Sequence, residues 1–446
     1  MALTGLEIYK LLPRTNCKDC GQPTCLAFAM QLAAGKASLD ACPHIGEEAR
    51  ERLAAAAAPP IALITIGAGE HAVRVGNETV LFRHEKRFEN PTAIGVTVDD
   101  TLPPASLAGR VRAINNLVFE RMGQTCRVDL VAVRGLSARP DLFRAAVLAA
   151  AREARLPLVL MSEDTACLEA ALEPVKDGRP LVWAATADNY ARLVPLAASY
   201  GVPLVVQAAG LEELAALVAK VTELGHRELL LDTGATSIAQ LLADQTRIRR
   251  LAVRKRFRPF GFPTFCTIAG DDPVQNVLDA AMAIAKYAAV VVVDTTDPAA
   301  ILPLVTWRMN LYADPQKPVA VEPKLYSIGN PGSDAPVFLT TNFSLTYFCV
   351  AGDVEAARVP AYILAVDTEG TSVLTAWAAG KLTPERIVAA LQASGVSERV
   401  KHRRLIIPGS VAVLSGKLAD LSGWEILVGP RESSAIPAFI KEHWKT

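Results

Sequence analysis

The feature that most constrains this chain is a long repeat of two kinds of segment. Short, continuous apolar runs rich in Val, Leu and Ile alternate with stretches rich in Ala, Leu, Glu and Arg. The runs predict strands at Ala93–Val98, Leu130–Val133, Leu158–Met161, Leu181–Ala184, Leu204–Gln207, Leu229–Leu231, Phe265–Ile268 and Val290–Val293. A strand apolar on both faces must be covered on both, and interleaved helices of this length are the usual cover for a parallel sheet. Eight such units over about 250 residues match a (β/α)8 barrel. An open doubly wound sheet would more often be smaller.

Composition narrows the class. In 446 residues, 46 Lys and Arg balance 46 Asp and Glu, which argues against a dedicated nucleic-acid or anionic-membrane binder. No apolar run approaches the ~20 residues needed to span a bilayer. The N-terminus lacks the basic start and apolar core of a signal peptide, so a cytoplasmic location is expected, with cysteines as thiols or metal ligands.

Four of the eight cysteines fall at the N-terminus. Cys17, Cys20, Cys25 and Cys42 have the spacing C-x2-C-x4-C-x16-C. The C-x2-C pair converges two thiolates, Gly21 and Pro23 supply a tight turn, and Pro43 follows the last cysteine. Four thiolates suit an all-cysteine iron–sulfur cluster or structural zinc. A compact triplet with one distant partner favours [4Fe-4S], because structural zinc sites usually show two short pairs. His44 reads as a surface histidine. Cys126, Cys167, Cys266 and Cys349 are scattered and read as packing residues.

Glu47–Ala58 predicts a helix stopped by Pro59-Pro60, placing a boundary near 60. Leu311–Pro336, with seven Pro and Gly residues, marks a second. Beyond it, strands are expected at Val337–Thr340, Ala361–Val366, Arg404–Pro408 and Trp424–Val428, with helices at Leu374–Gly380 and Pro384–Ala393, giving a small Rossmann-like domain. The resulting division is 1–58, 59–322 and 323–446.

Two nucleotide motifs fail. GAGEHA at Gly67–Ala72 mimics a dinucleotide fingerprint, but an alternating segment with a Gly76-Asn77 turn follows, which reads as a hairpin rather than a helix N-terminus. Gly409–Lys417 has the wrong glycine spacing for a phosphate loop. Arg247–Arg258 holds seven basic residues in twelve and reads as a solvated helix face or a docking patch for an acidic partner. In the C-terminal region, the loops TTNFSLTYF, DTEGTSVLTAW, Pro408–Ser410 and Gly429–Ser434 all follow strand ends. Open α/β sheets bind ligands there.

Taken with NCKDCGQPTCLAFAMQLAAGKASLDACP, the TTNFSLTYF and DTEGTSVLTAWAAGK segments strongly resemble the large (gamma) subunit family of the corrinoid iron–sulfur protein, over the whole chain. The resemblance implies a methyl carrier of the reductive acetyl-CoA (Wood–Ljungdahl) pathway, within a corrinoid-dependent methyltransferase system. Co(I) of a cobamide would accept a methyl group from methyltetrahydrofolate through a separate methyltransferase. It would pass the group to the nickel cluster of acetyl-CoA synthase/CO dehydrogenase. Cys17, Cys20, Cys25 and Cys42 would hold a [4Fe-4S] cluster that returns Co(II) to Co(I) using a low-potential electron donor. Thr340, Thr346, Gly370, Thr371, Ser372, Val373 and the Ser434 region would contact the cobamide, which would lie between this chain and a small subunit in a heterodimer. The D-x-H-x-x-G signature is absent, and His402 and His443 lie outside Gly-rich strand ends. A base-off cobamide with no protein histidine ligand is therefore expected. The rival readings are a pterin-dependent methyltransferase in its own right and a plain iron–sulfur electron carrier. No Asp/Asn constellation at the barrel strand ends speaks for the former.

Overall fold

The computed structural model describes residues 5–33, 37–47, 49, 50, 53, 59–121 and 124–444. Two compact units emerge: Met1–Phe119 with Cys126–Tyr312, and Glu120–Thr125 with Ala313–Thr446. Among the described residues no helix is long and apolar enough to cross a membrane.

The first unit contains a closed barrel of eight parallel strands. In chain order these are Ala93–Asp99, Leu130–Arg134, Leu158–Met161, Leu181–Ala185, Leu204–Gln207, Leu229–Asp232, Thr264–Ile268 and Ala288–Val293. Each pairs with its neighbours in sequence, and the last closes on the first through Val290↔Ala93 to Val293↔Val96. The continuous apolar runs are explained by alternation between two cores. Leu130, Ala132, Val159, Leu230, Phe265, Val290 and Val292 fill the barrel, while Ile94, Val96, Val131 and Val133 face the helices. Gly95 sits where a Cβ would come within 3.2 Å of Val292 and 3.4 Å of Leu130, leaving room for those larger side chains.

An antiparallel hairpin, Leu63–Ile66 with Val73–Gly76, adds Ile64, Ile66 and Val75 to the barrel interior. It docks against residues just ahead of the strands, with Gly67 N donating to Arg179 O and Ala62 N to Gly261 O. The hairpin thus plugs the N-terminal end of the barrel. Its connection is the 67–72 segment rather than Gly76-Asn77, so the false fingerprint is the hairpin loop itself.

The second unit holds a five-stranded sheet in the order Leu325–Ile328, Ala361–Val366, Val337–Thr341, Arg404–Ile407, Glu425–Val428. The last four are mutually parallel, and the edge strand Leu325–Ile328 is antiparallel. That edge strand lies within the Pro/Gly-rich segment expected to be a boundary. Its burial is only partial, so it carries no continuous apolar run. Helices cover both faces: Val337, Leu339 and Leu405 pack with Ile387 and Leu418, and Phe338, Ile363 and Ile406 pack with Val354, Ile436 and Ile440.

Of the helix expected over Glu47–Ala58, residues 47, 49, 50 and 53 are helical; the others lie outside the described residues. The basic run lies on the helix Ile238–Lys255 and just beyond it, and is only partly the solvated face expected. Arg249 is buried, donating to Glu78 at 3.0 Å and to Val80 O at 3.0 Å, between the rings of Phe88 and Tyr287. Desolvation pushes the Glu78 carboxyl above its usual range, against the pull of Arg249.

Candidate functional site

The N-terminal module brings three of its four cysteines onto one small core. Cys25 and Cys42 are buried among Ile8, Leu12, Phe28 and Ile45, with Cys20 packed against the same cluster. Cys17 is exposed. Its sulfur lies in a group with Asp19 and His44, so it faces the segment that carries Cys42. His44 Nε2 and Asp19 Oδ2 are 2.6 Å apart. That contact, followed by one from Cys17, holds the Asp19 carboxyl below its usual range. The intervening backbone is left-handed at Asn16, Lys18 and Gly21, which folds the loop back sharply. Asn16 was not singled out in the sequence although it directly precedes Cys17. Its amide N–H donates to Cys25 Sγ at 3.4 Å, and its side-chain oxygen accepts from Cys25 N at 2.8 Å. Four free thiols on one module, two of them buried, one half-buried and one exposed, with Cys25 receiving an N–H bond, form a donor set suited to an all-thiolate cluster. Hydrogen bonds to sulfur are among the levers on such a cluster's potential.

The second site lies in the C-terminal sheet. Val337–Thr341, the first of this sheet's parallel strands in chain order, sits inside the sheet. The chain moves first to one side (Ala361–Val366) and then crosses to the other (Arg404–Ile407). Connections leave in opposite directions at that junction and open a crevice at the carboxyl ends of the strands. A cleft of about 720 Å³ lies there, its walls including Thr340, Thr346, Cys349, Ser372, Val373, Ile407, Ser410 and Arg431. This volume falls within the range for small-molecule and cofactor sites.

Local sequence explains the shape. Gly409 and Gly429 let two strand ends touch: a Cβ on Gly409 would lie 2.4 Å from Gly429 O. TTNFSLTYF is a strand end running into the helix Ser344–Ala356, rather than a loop. On that helix Thr346, Cys349 and Val350 share the face toward the cleft, as the i, i+3, i+4 spacing dictates.

Of the seven residues expected at this site, Thr340, Thr346, Ser372 and Val373 line the cleft, whereas Gly370, Thr371 and Ser434 do not. Gly370 and Thr371 shape the neighbouring loop. Gly370 has φ +69°, with Pro318 and Ala320 against the position of a Cβ, and Thr371 Oγ1 donates to Thr368 O at 2.7 Å. Ser434 lies in the short 3-10 turn Ser433–Ala435, and its neighbour Ser433 lines the cleft. The residue that organises this loop, Asn342, was not singled out. Its side-chain oxygen accepts from Thr368 N, Thr368 Oγ1 and Gly370 N at 3.0–3.1 Å, and its Nδ2 donates to Asp367. A polar residue directly after a buried strand was the available signal.

One wall atom is incomplete. Thr340 is 1% exposed and its hydroxyl has no protein partner. A buried hydroxyl without a partner costs about 1–3 kcal/mol, so its presence in a cleft wall points to a bound group that completes it. Neither C-terminal histidine lines the cleft. His402 uses both ring nitrogens, on Ala335 O and Arg404 N, and packs against Trp444. His443 stacks on Phe439.

The barrel mouth does hold carboxylates at its strand ends, which the sequence did not present as a convincing constellation. Arg134 bridges Asp99 and Asp294, and Arg110 adds a second contact to Asp294. Buried Asp232 accepts from Trp183 Nε1 and Gly234 N. Two arginines offset Asp99 and Asp294, and both oxygens of Asp232 are occupied, so these carboxylates are satisfied from within.

The architecture is thus a thiol-rich N-terminal module, a (β/α)8 barrel and an α/β domain with a cofactor-sized crevice at its crossover point. A family model for the CO dehydrogenase/acetyl-CoA synthase delta subunit matches residues 63–440, and one for an Fe-S cluster domain matches residues 12–44. The chain is 51% identical over 441 residues to the corrinoid/iron-sulfur protein large subunit of Moorella thermoacetica, covering 99% of both chains. It is 38% identical over 453 residues to the acetyl-CoA decarbonylase/synthase complex subunit gamma of Methanothermobacter thermautotrophicus, again covering 99% of both. The corresponding subunit of Methanopyrus kandleri is 36% identical over 99% of this chain and 98% of its own. The chain therefore belongs to the family of corrinoid/iron-sulfur protein large subunits, the gamma subunits of the acetyl-CoA synthase system.

Proposed function

We propose that this chain is a methyl-group carrier of the reductive acetyl-CoA pathway, taking a methyl group from methyltetrahydrofolate and delivering it to acetyl-CoA synthase. The observation that carries the reading is the unpartnered Thr340 hydroxyl, buried in the wall of a cofactor-sized cleft at the sheet's crossover point. A base-off cobamide bound there supplies the methyl-accepting cobalt, and a [4Fe-4S] cluster supplies the single electron that restores its reduced state. Thr340, Thr346, Ser372 and Val373 contact and orient the cobamide, while Gly370 and Thr371 hold the loop that presents Ser372, and the turn carrying Ser434 sets Ser433 on the wall. The engagement of His402 and His443 elsewhere supports a site with no protein histidine on the metal. Cys17, Cys20, Cys25 and Cys42 hold the cluster.

The three parts 1–58, 59–322 and 323–446 then act as cluster module, barrel and cobamide domain of a cytoplasmic carrier. Its partners are a small subunit completing a heterodimer, a methyltetrahydrofolate:corrinoid methyltransferase, acetyl-CoA synthase/CO dehydrogenase and a low-potential electron donor. The test is a visible spectrum with metal analysis of the anaerobically purified heterodimer. About four iron and one cobalt per heterodimer, with corrinoid bands, are expected. Iron without cobalt, and no corrinoid bands after incubation with hydroxocobalamin, would leave only an electron carrier and overturn the reading.

A further inference from the structure

The four cysteines outside the N-terminal module differ in their surroundings. Cys126, Cys167 and Cys266 are buried, whereas Cys349 is exposed and lines the C-terminal cleft. It sits one helical turn beyond Thr346 on the cleft-facing side of the helix Ser344–Ala356. The same cleft carries the unpartnered, buried Thr340 hydroxyl, an independent mark of a ligand at this place. An accessible thiol in the wall of a binding cleft is open to reagents while the cleft is empty and covered once it is filled.

We propose that Cys349 is a thiol-modification site controlling cofactor loading: a mixed disulfide on Cys349 and a cobamide in the cleft exclude one another. The proposal rests on the reading of this cleft as the cobamide site. The modifying reagent is a low-molecular-weight disulfide. The Cys349 sulfur attacks one sulfur of the reagent, the new S–S bond forms as the old one breaks, and the departing thiol takes the Cys349 proton. Cys349 is oxidised to a mixed disulfide, and one half of the reagent is reduced to its thiol. A dithiol reverses the step by the same exchange and ends as a cyclic disulfide. A tripeptide adduct would occupy part of the roughly 720 Å³ cleft beside Thr346 and Ser372, where the proposed function puts the corrin. Exclusion is reciprocal, as linkage requires: whatever the adduct takes from cobamide affinity, bound cobamide takes from adduct formation.

The experiment uses the heterodimer with its cluster intact and oxidised glutathione as probe. Peptide mass spectrometry follows the adduct at residue 349, and gel filtration with a visible spectrum follows retained hydroxocobalamin. The expected result is adduct at Cys349 in the cobamide-free protein and at least tenfold slower formation in the loaded protein. Cobamide retention should fall at least tenfold in the adduct and recover after dithiothreitol. Equal adduct formation with and without bound cobamide, or full retention by the adduct, would overturn the proposal. Thr346→Trp, which fills the cleft while leaving the Cys349 thiol chemically unmodified, separates the two readings. If it abolishes retention while the adduct has no effect, the cleft is the cobamide site and the control by Cys349 is wrong. If neither Thr346→Trp nor the adduct alters retention, the cobamide binds elsewhere and both readings fail.

Discussion

Replacing Thr340 by valine tests the site with two readouts of opposite sign. In the cobamide-free chain the hydroxyl is buried at 1% exposure with no partner. Valine has nearly the same shape and removes a desolvated polar group worth about 1–3 kcal/mol of penalty. The cobamide-free domain should therefore gain stability of about 1 kcal/mol or more. Once cobamide is bound, the same hydroxyl acquires its hydrogen bond, worth about 0.5–1.5 kcal/mol net, so affinity should fall by up to roughly tenfold. Calorimetry of the full chain supplies the first readout through the transition that hydroxocobalamin shifts upward, since a ligand stabilises the domain that binds it. Equilibrium dialysis with hydroxocobalamin supplies the second. Thr341→Val is the comparison. Its hydroxyl is equally buried and unpartnered, but Thr341 does not line the cleft. It should gain stability with no change in affinity. A Thr340→Val protein that lost stability without cobamide and bound it unchanged would refute the argument.

Further predictions follow from other contacts. Gly409→Ala places a Cβ 2.4 Å from Gly429 O and must force two strand ends apart; it should cost about 1–3 kcal/mol in urea denaturation and weaken cobamide retention. Arg249→Met leaves Glu78 buried without its cation and should cost about 3–5 kcal/mol, whereas the double variant Glu78→Gln/Arg249→Met should recover part of that loss. Asp232 has its carboxyl pushed up by desolvation. A raised folded pKa means its stabilising contribution is full below the unfolded value and fades as pH rises through the folded one. The melting temperature of Asp232→Asn should therefore improve relative to the parent as pH rises from about 4 to 8. Cys20→Ala should lose the cluster's visible absorption and reductive reactivation from Co(II) yet keep the cobamide; normal reactivation would show that the cluster has another role.

The eight barrel strands, the four parallel strands of the C-terminal sheet and the N-terminal cysteine motif were legible in the chain for a local reason. A strand buried on both faces needs a continuous apolar run, and a thiolate cluster needs cysteines at short spacing, so both requirements are written in consecutive residues. The edge strand Leu325–Ile328 escaped because half-burial asks for no such run. The basic stretch was only half readable: its helix was plain, but nothing local told Arg249, buried on Glu78, from its exposed neighbours.

The crevice shows the division most clearly. That strand-end loops rich in Thr, Ser and Gly meet a ligand could be argued from their order along the chain. Which side chains reach it depended on strand order, because the crossover between Val337–Thr341 and Arg404–Ile407 opens the cleft. It leaves Thr340, Thr346, Ser372 and Val373 on the wall and sets Gly370, Thr371 and Ser434 behind it. Asn342 and Cys349 gained their places in the same way. Asn342 ties one loop to another 26 to 28 residues away, and Cys349 is set apart from three buried cysteines only by the helix face on which it falls. Local spacing encodes periodicity and chelation; exposure and convergence arise from long-range packing, which no short stretch of residues contains.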